Sequence, residues 1–158
     1  MRKAGGFFAA ISVLPFLAAL CFASQPEDIK SIPLKGLKGL WVLVENLPQG
    51  AHDIGLTRER IQTVTELKLR REGLIAKFDY ASPYFYVAIN VSGLAFNVLV
   101  SVEDWVTLER DKTILCRAKT WLTGTTGTHG RDSEYIIGGL ERLIDSFLND
   151  YYKANPKK

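Results

Sequence analysis

The sequence predicts an α+β domain: a two-layer sandwich with a mostly antiparallel five-stranded sheet and two helices on one face, in the order β-α-β-β-β-β-α. Three observations predict it. Residues 84–91 and 94–102 alternate apolar and polar side chains on either side of Ser92-Gly93, which is the signature of a hairpin with one buried face. Ile136, Leu140, Leu143, Ile144, Phe147, Leu148 and Tyr151 recur at helical spacing near the end of the chain. Residues 58–72 set Ile61, Val64, Leu67 and Leu69 among many charges, a second amphipathic helix early in the chain.

Taken in order, Leu40-Trp41-Val42-Leu43-Val44 is a continuous apolar run that fits an interior strand, central in the sheet and followed by a helical crossover. Pro48, Gly50 and Gly55 mark a loop, and Thr57 supplies an N-cap for the first helix. Gly73 stops that helix in the left-handed conformation, with Leu74 folding back on the last turn. A short strand covers 75–78. In 84–91, Phe85, Val87, Ile89 and Val91 form the inward face; Phe96, Val98, Val100 and Val102 do so in 94–102, which Trp105 to Leu108 extends past a bulge near Glu103-Asp104.

After a turn at Arg110-Asp111-Lys112, strict alternation turns Ile114, Cys116, Ala118, Thr120 and Leu122 inward and Leu115, Arg117, Lys119 and Trp121 outward. Residues 123–130, rich in Thr and Gly, read as a loop before the last helix, which Asp132 or Ser133 caps and Asn155-Pro156 ends.

The domain boundaries are therefore 1–23 for a signal peptide, 24–38 for a polar linker with Pro26 and Pro33, 39–155 for one domain and 156–158 for a tail. Arg2 and Lys3 precede an apolar stretch ending at Cys21-Phe22-Ala23, which favours cleavage before Ser24 and export to the periplasm or beyond the cell. Gly5, Gly6 and Pro15 argue against a retained anchor, and Leu20 and Ala18 fit lipidation at Cys21 poorly. Removing Arg2 and Lys3 lowers the formal charge from +3 to +1, a balance with no electrostatic footprint for nucleic acid. Only Cys116 then remains, so the mature chain forms no internal disulfide and relies on its core.

Little in the chain carries chemistry. His52 and His129 lack the spaced partners a metal site needs, and read as exposed loop histidines. Cys116 reads as a buried structural thiol, and no acid, base and nucleophile set stands out, so the catalytic, metal and cofactor expectations are all none. Glu103 and Asp104 point to opposite faces, while Glu109 and Asp111 flank a turn.

Two candidate sites survive. Tyr84, Tyr86 and Trp121 fall on the face opposite the core, with Tyr80, Trp105, Leu99 and Leu115 nearby, and apolar patches of this kind mark partner surfaces. The Thr/Gly loop precedes a helix N-terminus, where Thr125, Thr126 and His129 would meet an anionic ligand, although Asp132 opposes one.

In Gly39-Leu40-Trp41-Val42-Leu43-Val44-Glu45, Trp121-Leu122-Thr123-Gly124 and Phe147-Leu148-Asn149-Asp150-Tyr151, the chain resembles a family of uncharacterised bacterial exported proteins. The resemblance covers nearly the whole mature chain and implies a bacterial envelope setting. The order of elements also looks like the N-terminal domain of TolB, a likeness of fold alone. The expectation is a non-enzymatic binding or assembly module acting on another envelope protein, with no nucleic acid and no membrane span after cleavage. The alternative is a small anionic-ligand binder or hydrolase at 123–130.

Overall fold

The computed structural model describes residues 29–156, so the signal peptide, the start of the linker, Lys157 and Lys158 lie outside the described residues. Its sheet has four strands in the order β1 (Trp41–Val44), β2 (Tyr84–Ser92), β3 (Ala95–Leu108) and β4 (Asp111–Thr128). β1 runs parallel to β2; the other two pairings are antiparallel. The helices are α1 (Gln49–His52), α2 (Arg58–Arg71) and α3 (Ser133–Ala154), with a single 3-10 turn at Ile32–Leu34. The α+β class stands, with a mixed four-stranded sheet and three helices in place of five strands and two.

The missing strand is 75–78. Only Ile75 pairs, in a parallel bridge with Leu40, before the chain leaves the sheet edge. With no further strand outside it among the described residues, β1 is an edge strand rather than a central one. Its apolar run reflects burial of alternate residues beneath helices: Val42 and Val44 are buried, whereas Trp41 and Leu43 are half-buried on the other face.

Local signals place the helices. The Thr57 hydroxyl accepts the Arg60 N–H at 3.2 Å to cap α2. Gly73 ends that helix at φ +71°, and the Leu74 N–H returns to the Leu69 carbonyl at 3.0 Å, as is usual for such stops. Asp132 caps α3 by accepting the Glu134 N–H at 2.9 Å. Arg60–Glu134 and Lys68–Asp145 ion pairs tie α2 to α3.

One cluster of apolar side chains fills the space between helices and sheet. Phe147 of α3 meets Phe85 edge-on at 5.1 Å and Trp121 at 5.2 Å. Part of the expected linker belongs to it: Leu34 is fully buried, and Asn155 holds this segment through Gly36 N–H and the Leu34 carbonyl.

Trp121 corrects the expected parity of β4. The register jumps from Val102↔Trp121 to Glu103↔Lys119, leaving Thr120 as an extra residue. This bulge keeps Arg117 and Lys119 on the open face but turns Trp121 inward, where it is 2% exposed and donates to the Asp150 carboxylate at 3.0 Å. Leu122 moves outward. Ile114 is exposed, and Cys116 is half-buried rather than a core thiol, because β4 there extends past the helices.

The supposed Thr/Gly loop is the second half of β4. Threonine is β-branched and suits a strand, and the glycines make room for neighbours. A Cβ on Gly127 would lie 3.0 Å from Phe96 Cε1, and one on Gly124 would lie 2.9 Å from the Val98 carbonyl oxygen.

Candidate functional site

The face of the sheet away from the helices holds the site. Register puts Trp41, Tyr84, Glu103 and Lys119 in one row across β1 to β4, with Leu43, Tyr86, Ser101 and Leu122 in the next. Alternation along β1, β2 and β3 sends Val42, Phe85 and Val102 into the core and their neighbours out, so Tyr84 and Tyr86 stand on this face as the sequence predicts.

The rows are bound into one network. The Tyr84 hydroxyl donates to Glu103 at 2.6 Å, and Lys119 Nζ lies 3.9 Å from the same carboxylate and 5.4 Å from the centre of the Tyr86 ring. Arg117 lies between two rings, 5.0 Å from Tyr84 and 4.7 Å from Trp105. Its guanidinium donates to the carbonyls of Ser82, at 3.1 Å, and of Tyr80, while the Trp105 indole N–H also donates to Tyr80, at 3.1 Å. Arg117 and Trp105 therefore pin the segment 79–82 against β3 and β4. Asp79 stabilises its turn by accepting the Ala81 N–H at 3.0 Å.

That pinned segment lifts aromatic rings to the surface. Trp41 stacks near Tyr84 at 4.9 Å and meets Phe78 edge-on at 4.8 Å; Phe78 in turn meets Tyr80 at 4.9 Å. Phe78 is 58% exposed, Tyr80 78% and Trp105 41%. Beside Trp41, between β1 and α2, runs a groove of about 410 Å³ whose walls include Phe78, Arg58, Glu66 and Arg70. The Trp41 indole N–H is buried without a hydrogen-bond partner among the described residues.

The electrostatics suit binding more than acid–base work. Burial, with a hydrogen bond to Glu45, pushes the Tyr86 phenol up to about 12. Burial and the bond to Glu103 also raise Tyr84. Both phenols remain neutral donors near pH 7. Among the described residues, no group of three or more His, Cys, Asp and Glu side chains is placed to hold a metal ion.

The other candidates lie elsewhere. Trp121 is in the core, on the opposite side of the sheet from Tyr84 and Tyr86. Thr126 is on the open face, held by the Asn97 amide at 3.1 Å, while Thr125 faces α3, its methyl group lying 3.7 Å from where a Cβ on Gly139 would stand. His129 is 3% exposed, not a free loop histidine. Its Nδ1 accepts the Arg131 N–H at 3.0 Å and its Nε2 meets the Gly93 carbonyl at 3.1 Å, so both ring nitrogens join the hairpin turn to the corner before α3. The three side chains do not converge.

Sequence reasoning missed Phe78, assigned to a strand, and the anchoring role of Arg117. The signal for Arg117 was its shared parity with the outward aromatics. Comparison with family models, with curated proteins and with solved structures returns no match.

Proposed function

We propose that this domain is a non-enzymatic binding module of an exported bacterial protein, which holds another envelope protein on its open sheet face. One observation carries the reading: Phe78, Tyr80 and Trp105 are held exposed on a face that no helix of the described residues covers, beside Tyr84 and Tyr86, by a dedicated set of hydrogen bonds from Arg117 and Trp105. Aromatic side chains presented rigidly bury much apolar surface at low entropic cost, which is why they dominate binding hot spots. The mixed surround of Glu103, Lys119, Arg58 and Glu66 favours a protein partner over a polyanion.

The test is affinity capture from envelope extract with the wild-type chain beside a Phe78→Ser/Tyr80→Ser variant and a Tyr86→Ala variant. The expected outcome is one protein retained by wild type and lost by both variants, each still folded by circular dichroism. Equal retention by all three refutes this surface as the docking site.

A further inference from the structure

The two edges of the sheet are built differently. The Trp41 N–H of β1 bonds to the Pro83 carbonyl just before β2, and the Glu45 N–H just past β1 bonds to Val87 of β2, so Val42 and Val44 turn their main chain outward. That edge is closed: Leu40 is bridged to Ile75, and Val42 and Val44 are 8% and 1% exposed. On β4 the His129 N–H bonds to the Leu94 carbonyl, so by alternation residues 121, 123, 125 and 127 bond to β3. The outward main chain belongs to Leu122, Gly124, Thr126 and Thr128, and all four are exposed.

Natural edges are blunted by charge, proline, bulges or short length. Between Thr120 and Gly130 the β4 edge has no Asp, Glu, Lys, Arg or Pro. It is a run of eight residues past the bulge, about 26 Å long at roughly 3.3 Å per residue. The Thr120 bulge protects only the half below it.

We infer that β4 pairs antiparallel with β4 of a second copy of this chain, joining two four-stranded sheets into one continuous sheet with all helices on the same side. The edge is self-complementary. A two-fold axis perpendicular to the sheet at Gly124 sets Gly124 against Gly124 and Leu122 against Thr126 of the other copy. Each of these is a pair of outward-facing residues, and together they form about six main-chain hydrogen bonds. No like charges meet across the axis. A two-fold pairing of this edge removes both open edges at once. Because the β1 edges are closed, growth stops at two copies. The inference concerns the edge and is independent of what binds the open face.

Light scattering after size exclusion, over about 1 to 200 µM of the chain as the host accumulates it, is the test. The expected mass is twice that of one chain at the upper end. Thr126→Pro removes an N–H that makes no bond among the described residues, and lowers the association constant about tenfold or more, with the fold intact by circular dichroism. A second variant, Leu122→Cys/Thr126→Cys in a Cys116→Ser background, cross-links across the axis under oxidation, since directly bonded strand partners stand about 5.5 Å apart. A monomer throughout the range overturns the inference. So does a dimer that Thr126→Pro leaves unchanged and the cysteine pair fails to trap.

Discussion

The two faces of this sheet use aromatic residues in opposite ways. Under the helices, Phe85, Phe147 and Trp121 interlock edge to face, and the indole N–H meets the buried Asp150 carboxylate. On the open face, Trp41, Phe78, Tyr80, Tyr84 and Trp105 form a belt fixed from beneath by Arg117, with much of its ring surface facing water. The first arrangement holds the fold together. The second adds less to stability and keeps apolar surface available. The same residue types thus separate into two roles by the parity of a strand position.

Substitutions should reproduce that separation. Phe147→Ala, in the centre of the core, is expected to cost about 3–5 kcal/mol in urea unfolding. Trp121→Ala belongs to the same class, since it also strips Asp150 of its indole donor. A cost near zero for either would erase the contrast between faces. Gly127→Ala comes next: its Cβ meets the Phe96 ring at 3.0 Å, and about 1–3 kcal/mol is the expected loss. If alanine is tolerated freely there, the glycine has no packing role.

Arg117→Ala should cost about 1–2 kcal/mol, because the carbonyls it releases are near the surface and rehydrate. Its sharper signature is local. Amide exchange over 79–82 should accelerate while the core amides of β2 stay protected, and uniform exchange across both regions would contradict the pinning role.

The alkaline limb distinguishes the open face further. A phenol whose folded-state pKa is raised favours the neutral form, so its contribution is complete below pH about 10 and is lost as pH rises toward about 12. Tyr86→Phe should flatten that limb, and superimposable stability curves from about pH 9 to 12 for the two proteins would argue against the Glu45 bond. The smallest expected effect is that of Tyr80→Ser, within about 0.5 kcal/mol in stability despite its place in the binding surface.

Much of this was legible in the sequence. The 84–102 hairpin, the caps at Thr57 and Asp132, the Gly73 stop and the buried face of α3 follow from short-range rules, and the structure places each where those rules put it. Tyr84 and Tyr86 were found by alternation alone. The errors share a cause. Alternation counts residues and has no means to register an inserted one, so the Thr120 bulge reversed Trp121 and Leu122. The Thr/Gly run looked like a loop because glycine usually marks turns. Its reason here, the Phe96 ring lying over Gly127, comes from a residue 31 positions away. The placement of β1 at an edge likewise depended on whether 75–78 would stay in the sheet, which its own composition does not decide.

The parallel pairing of β1 with β2 also orders events in time. β2, β3 and β4 are consecutive, so their meander closes through short turns. Trp41, by contrast, meets Tyr84 only after the whole crossover containing α1 and α2 is traversed. Contacts that span longer stretches of chain carry a larger closure cost and form more slowly. Among the strands of the sheet, the first to leave the ribosome is therefore the last to join, and until it does, β2 has one side unpaired.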